Sequence, residues 1–302
     1  MPLMKSEPQI SQNSPSAPKA FFLASRPKTW IASLSPVAIG GALALEIQPL
    51  ILILTFCFSL LIQVGTNFAN DYFDFVKGAD NSSRKGPKRA TQEGWVTPRA
   101  MLRASLIAFG LAFLIALPLM IQAGFWSFCL ALGCIALGIL YTGGPKPLGY
   151  LGLGELLVFS FFGPIATCGT YFLQMGQVPL FVFIASLAPG FFSCAILTAN
   201  NLRDEESDRA AKKMTLIARF GRKIGSVEYA LFVLIASLVP LLLVFILNLP
   251  FATLLPSVVL IFALHPIRTA FIFKDPLELL LVLQQSAFLL LLYTLLFCMA
   301  VW

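Results

Sequence analysis

Residues 50–74 read LILILTFCFSLLIQVGTNFANDYFD, and the two halves of this stretch follow different chemical rules. The first half is an apolar run close to the roughly 20 residues that a bilayer-spanning helix needs. The second half carries Asn67, Asn70, Asp71 and Asp74. In Asn67/Asp71 and Asn70/Asp74 an amide precedes a carboxylate by four residues, which places the groups on one helical face. Stacked carboxylates repel one another, so the stripe makes sense where cations sit among them. Asn67 and Asn70 lie about one turn inside the span, and polar groups at membrane depth normally face a cavity or a partner.

Working outward, similar apolar runs recur from Trp30 to Trp302. The chain has 302 residues, of which 58% are hydrophobic and 12% charged. Soluble domains carry about a quarter charged residues, and one water-soluble core of this size could not bury all these runs. The chain is therefore expected to be an all-α membrane protein with nine spans: 29–46, 50–73, 99–121, 124–142, 153–174, 178–202, 228–247, 250–266 and 277–301. Gln122-Ala123-Gly124 and Asn248-Leu249-Pro250 mark tight turns between neighbouring runs.

Positive charge orients the spans. Lys5, Lys19, Arg26 and Lys28 precede the first. Seven Lys/Arg lie from Lys77 to Arg103, Lys146 follows the fourth span, seven lie from Arg203 to Lys223, and Arg268 and Lys274 precede the last. These are all 21 Lys and Arg of the chain, and the alternate loops hold none. Positive loops stay cytoplasmic, so the N-terminus and the long loops 74–98 and 203–227 are expected inside, and the C-terminus outside. Residues 1–25 start with a Ser-, Pro- and Gln-rich stretch without an apolar core. They are expected to be a disordered cytoplasmic tail before one transmembrane domain, 26–302. The six cysteines lie in apolar stretches without CxxC spacing, which suits small buried hydrophobes better than metal ligands or disulfides.

The sixth span ends as the second does: Thr198-Ala-Asn200-Asn201-Leu-Arg203-Asp204-Glu-Glu-Ser-Asp208. Two such ends suggest an internal repeat, and Lys88-Arg89-Ala90-Thr91 weakly matches Lys212-Lys213-Met214-Thr215. Oxygen-only ligands suit Mg2+, Mn2+ or Ca2+ rather than zinc. Mg2+ is usually held by one or two carboxylates with phosphate oxygens completing its shell. Arg84, Lys85, Lys88 and Arg89 after the first motif, and Arg209, Lys212, Lys213 and Arg219 after the second, supply the phosphate-binding charge. Asp71, Asp74, Asp204 and Asp208 are thus the candidate metal ligands of a site for a diphosphate on an apolar tail. The bland alternative, solvated charges capping helix ends, fits either cluster alone better than it fits the pair.

At these residues the chain resembles the UbiA-type intramembrane prenyltransferases. The strings that carry the resemblance are Asn67–Phe75 with Gly78-Ala-Asp80, Arg84–Arg89, Tyr141-Thr-Gly-Gly-Pro145, Gly152-Leu-Gly-Glu155, and Asn200-Asn-Leu-Arg203-Asp204 leading to Asp208 and Lys213. They are more similar to the 1,4-dihydroxy-2-naphthoate (menaquinone) branch than to the 4-hydroxybenzoate branch. Gly78 stands where many members carry a third acid, and Ala211-Lys212 replaces an expected Gly-Lys step.

The resemblance implies nine transmembrane helices around a central cavity in a cytoplasmic (inner) membrane. It implies transfer of a polyprenyl chain from polyprenyl diphosphate to the naphthoate, with release of diphosphate and CO2, giving demethylmenaquinol. The four aspartates would be the catalytic, Mg2+-holding residues, with Mn2+ as a substitute. Asn67, Asn70, Asp80, Arg84, Lys88, Arg89, Tyr141, Lys146, Asn200, Asn201, Arg203 and Lys213 would bind substrate. Tyr72, Tyr141 and Tyr150 could face an allylic cation. His265 is not promoted to a general base, and Glu155 and Glu278 are expected to be interfacial caps.

Rivals are a metal or organic-anion transporter and a CDP-alcohol phosphotransferase. Carriers place ionisable groups near the midplane, whereas here the outer halves of the spans are expected to lack polar residues. CDP-alcohol enzymes gather their acids in one motif, not two.

Overall fold

The computed structural model describes residues 15–80 and 86–302, so Arg84, Lys85 and the first fourteen residues lie outside the described residues. All regular structure among the described residues is helical. A short α1 (Ala17–Ala24) leads through a 3-10 turn to α2 (Ile31–Ala42), α3 (Pro49–Val76), α4 (Pro98–Ala123) and α5 (Phe125–Leu140). Next come α6 (Gly154–Ser160), α7 (Ala166–Met175), α8 (Leu180–Arg203), α9 (Glu205–Ala210), α10 (Leu216–Phe220), α11 (Arg222–Phe245), α12 (Val259–Ile272) and α13 (Leu279–Val301).

Seven helical stretches are long and apolar enough to cross a membrane: α3, α4, Gly154–Met175, α8, α11, Phe251–Ile272 and Pro276–Val301. The expected first and fourth spans are shorter, with 12 residues in α2 and 16 in α5. α2 stops ahead of Glu46 and Gln48, while α5 is confined between Gly124 (φ 87) and the Gly-Pro turn after Tyr141. The expected fifth span is continuous but passes through a π turn at Phe161–Ile165 between α6 and α7. The eighth opens as a 3-10 helix, Phe251–Val258, containing Pro256, and continues past Pro266 to Ile272. The seventh starts six residues before the expected 228, at Arg222, whose guanidinium lies 3.3 Å from the Phe273 ring centroid.

The expected tail is helical over its last part. Ala20 and Ala24 of α1 are buried in a small core with Phe68, Ala90, Val96 and Met101, because α1 lays its alanines on the acidic end of α3. The larger core is built around α8, where Val182, Ala185, Phe192 and Ala199 meet α2, α11 and α13. Small residues let helices cross closely, as is usual in membranes. A Cβ on Gly163 would stand 2.9 Å from Gly190 Cα, so the π turn and α8 meet backbone to backbone.

Two expectations about side chains change. Cys57 and Cys129 are exposed on the apolar surface rather than buried. The outer ends are not free of polar groups: Thr167, Thr170 and Gln174 are buried on α7. They are uncharged, which keeps the cost of burial small, although Thr167 Oγ1 and Gln174 Nε2 have no hydrogen-bond partner. Thr170 donates to Ala166 O at 2.7 Å, and Gln174 accepts from the Gln48 N–H at 2.7 Å.

Candidate active site at the joined ends of α3 and α8

At 1.5 Å per residue the 28 residues of α3 span about 42 Å, more than the ~30 Å of a bilayer's hydrocarbon. Its last turns can therefore carry polar chemistry without shortening the apolar part. Asn67, Asn70, Asp71 and Asp74 are all buried there. Asp71 accepts the backbone N–H of Ala90 at 3.1 Å and of Thr91 at 2.9 Å, one on each oxygen. The segment after the motif is thereby folded back as a strap over the helix end. Asn67 donates to Ser25 O at 2.9 Å, tying α1 to α3, and Asn70 accepts the Thr142 hydroxyl at 2.7 Å. Asp80 pairs with Arg89 on the strap at 3.3 Å.

The end of α8 is organised by a fork. Arg203 donates Nε to one oxygen of Asp204 at 2.8 Å and Nη2 to the other at 2.6 Å, while Nη2 also reaches Asn200 Oδ1 at 2.6 Å. Asp208, on α9, lies 3.5 Å from the Lys213 ammonium, and its Oδ2 is buried without a hydrogen-bond partner. Burial pushes the Asp208 carboxyl up to about 6; Lys213 opposes the shift, and the charges of Asp204 and Asp74 add to it. Burial also works against the charge on Lys213, but Asp208, Asp74, Tyr141 and Asp204 outweigh it and hold the ammonium above the usual lysine range. Asp74 of α3 and Asp208 of α9 thus share one electrostatic site.

The two ends open on one cavity of about 610 Å³. Asn67, Asn70, Asp71, Lys88, Arg89, Tyr141, Asn200 and Arg203 are in its wall, and it runs along apolar residues of α3, α5 and the π turn to Leu130 and Trp126. Asp74, Asp80, Asp204, Asp208 and Lys213 are not among its lining residues. Asn201 turns away, donating to Glu155 at 3.0 Å. Lys146 is exposed and is not part of the wall. Among the proposed aromatic faces only Tyr141 lines the cavity. Tyr72 packs on Phe73 at 5.0 Å, and the Tyr150 hydroxyl donates to Asp74 at 2.9 Å.

Glu278 is a cap as expected, accepting the N–H of Asp275 and Lys274. Glu155 is not, being buried beside Asn201. His265 is exposed and bonded to Gln285. The suggested repeat of the two loops is partial. Ala90 and Thr91 hold Asp71 by their amides, whereas Thr215 caps α10 and the Lys213 amide donates to Asp208 O.

Sequence reasoning missed Arg26, Thr142 and Lys77. Arg26 has a left-handed backbone (φ 56), lines the cavity, and places its charge near Asp71. It counted only as topological charge, although an Arg-Pro pair just ahead of an apolar run was a usable signal.

Among the described residues no three carboxylate, His or Cys side chains converge closely enough to hold an ion. The donor chemistry nevertheless fits a hard divalent cation: oxygen ligands, a buried unpartnered Oδ2 on Asp208, and a carboxyl whose charge is disfavoured first by burial and then by Asp204 and Asp74.

The description "UbiA prenyltransferase family" matches residues 33–291. The chain belongs to this family. Among UbiA relatives, the 1,4-dihydroxy-2-naphthoate octaprenyltransferase of Mycobacterium tuberculosis is 38% identical over 199 residues, 65% of this chain and 68% of that protein. The protein of the same name from Escherichia coli is 36% identical over 247 residues, 78% of each chain. UbiA prenyltransferase domain-containing protein 1 of mouse is 33% identical over 217 residues, 70% of this chain and 64% of that one.

Solved UbiA homologues share the fold. One from Archaeoglobus fulgidus bound to GPP and Mg2+ superposes with a TM-score of 0.68 at 16% identity, covering 93% of this chain and 99% of that one. One from Aeropyrum pernix K1 gives 0.66 at 15% identity, covering 88% and 96%. The chain is a multi-pass, all-helical membrane protein of the UbiA type.

Proposed function

We propose that this protein transfers a polyprenyl chain from its diphosphate to 1,4-dihydroxy-2-naphthoate, with release of diphosphate and CO2, giving demethylmenaquinol. The observation that carries the reading is the meeting of two acid-bearing helix ends at one mouth of an elongated apolar cavity. The relatives named 1,4-dihydroxy-2-naphthoate octaprenyltransferase support the choice of acceptor.

Asp71, Asp74, Asp204 and Asp208 would hold Mg2+, with Mn2+ as a substitute. A bound ion supplies stabilisation of the charge that builds on the diphosphate as the allylic C–O bond breaks. Arg203, Lys213, Arg89, Lys88 and Arg84 neutralise the remaining phosphate oxygens. Asn67, Asn70 and Asn200 orient them with amide groups, and Asp80 acts by holding Arg89. The Tyr141 ring offers an electron-rich, non-nucleophilic face to the allylic carbon. Arg26 and Lys28 supply positive charge at the wall for the acceptor's carboxylate. Phe58, Phe161 and Phe162 keep water from the tail. Asn201 and Lys146 have only indirect roles on this reading.

α2 and α5 complete nine spans of one domain, 26–302, in the inner membrane. The acidic ends and N-terminus are cytoplasmic and the C-terminus is outside, as the distribution of Lys and Arg supports.

Purified protein is given a polyprenyl diphosphate with the naphthoate or 4-hydroxybenzoate, with Mg2+, Mn2+ or EDTA. Expected is prenylation of the naphthoate with equimolar CO2, none in EDTA, and none in Asp71→Ala or Asp204→Ala. Activity surviving both substitutions refutes the site, and preference for the benzoate refutes the acceptor.

A further inference from the structure

Tyr150 sits in a 3-10 turn, Leu148–Leu151, on the connection between α5 and α6, where no acid stands. Both motif-bearing halves nevertheless reach it. From the α3 side, Asp74 Oδ1 accepts its hydroxyl at 2.9 Å. The Lys77 ammonium donates to Thr142 O at 2.6 Å and Gly144 O at 3.0 Å, and stands 5.2 Å from the Tyr150 ring centroid. From the α8 side, the Met214 N–H donates to Tyr150 O at 3.1 Å, and the Lys213 ammonium stands 5.8 Å from the same ring. Arg219 fastens the turn further by donating to Leu151 O at 2.8 Å and Met214 O at 3.0 Å.

One aromatic side chain is thus shared by a carboxylate of the first motif and a cation of the second, while its own backbone is bolted to the second loop. We propose that Tyr150 is a positioning residue that sets the two motifs in register, its hydroxyl aiming Asp74 and its ring and carbonyl placing Lys213. With Oδ1 held by the hydroxyl, the remaining Asp74 oxygen is presented in one orientation. Groups that orient a metal ligand from behind typically change cation affinity 10- to 100-fold when removed. Ammonium-to-ring attraction adds to the placement of Lys213.

The proposal rests on the functional reading above for its kinetic readout only; the binding readout stands apart from it. Full-length Tyr150→Phe and Tyr150→Leu are purified, and Mn2+ binding is titrated by electron paramagnetic resonance. Half-saturating Mn2+ and the KM for the prenyl diphosphate are then measured. Tyr150→Phe keeps the ring and loses the Asp74 bond, so Mn2+ affinity falls about tenfold while KM moves less than about twofold. Tyr150→Leu loses both, and KM rises together with the Mn2+ requirement.

A lower thermal midpoint with Mn2+ affinity and KM unchanged in the folded fraction overturns the proposal, because it reports a purely structural tyrosine. Absence of Mn2+ binding in the unsubstituted protein also overturns it. Mn2+ binding without prenyl transfer overturns the functional reading instead, and the affinity difference between the variants then decides the role of Tyr150.

Discussion

Asp71 holds two buried backbone donors, and replacing it with asparagine separates that task from its charge. Ala90 and Thr91 are 1% and 0% exposed, so their amides have no access to water once the carboxylate is gone. Asparagine has one acceptor oxygen, and its amide group presents a donor to the second N–H. One buried donor is therefore left unmet, at a cost of about 1–3 kcal/mol. The strap is also held by the Arg89–Asp80 pair and by the packing of Ala90 and Val96 in the small core, so the cost falls on local opening rather than on unfolding of the helices. Converted at 1.4 kcal/mol per decade, protection of the Ala90 and Thr91 amides falls roughly 5- to 150-fold.

Hydrogen exchange followed by mass spectrometry on peptides covering 86–95 measures this change, with the α13 helix as an internal control that stays protected. Turnover should be lost in the same variant, since Pro87, Lys88 and Arg89 on the strap form part of the cavity wall. Unchanged exchange over 86–95 in Asp71→Asn would falsify the assignment of the strap to this carboxylate.

Two further outcomes test the cavity and the packing. Ala131→Phe places a ring in the wall about 15 Å along α5 from Tyr141. The expected result is a raised KM for long prenyl diphosphates with short ones unaffected, and an unchanged chain-length profile would remove this wall from the tail's path. Gly163→Val puts a Cβ 2.9 Å from Gly190 Cα and from Ser186 O, neither of which can rotate away. A loss of about 1–3 kcal/mol, read as a lower thermal midpoint in detergent, is expected; an equal midpoint would show that this crossing is loose.

The membrane class and the acidic ends were legible because both depend on patterns within single helices. An apolar run near 20 residues has few other fates, and an Asn–Asp spacing of four reports a shared face whatever the helix packs against. The lengths of α2 and α5 were harder to read. The turn at Gly124 that starts α5 was legible from Gln122-Ala123-Gly124, whereas the stop of α2 at Ala42, four residues before the expected 46, was not, because the apolar run continues to Leu45. The π turn at 161–165 had a local signal in Gly163-Pro164, since proline removes a backbone donor from the ladder, but the close approach of Gly163 to Gly190 is tertiary and was hidden.

Within the site, residue type identified the acids and tertiary placement decided their neighbours. Lys77 counted only as topological charge and Tyr150 as a possible aromatic face for a cation, and their place beside Asp74 became visible only when the ends of α3 and α8 were brought together across the α5–α6 turn. Arg203 shows the consequence for chemistry. As a basic residue beside Asp204 it read as a phosphate ligand, yet in this structure Nε and Nη2 hold protein oxygens, two on Asp204 and one on Asn200, and only Nη1 is left without a partner. On the proposed reading, Asp204 would become a ligand of the divalent cation that accompanies the diphosphate, and the Arg203 guanidinium would then be free to face phosphate. The same exchange applies at Lys213 and Asp208. Carboxylates that hold basic residues here would thus be able to become cation ligands without a large movement of either helix, because each basic residue would transfer its bonds from one anion to another within reach.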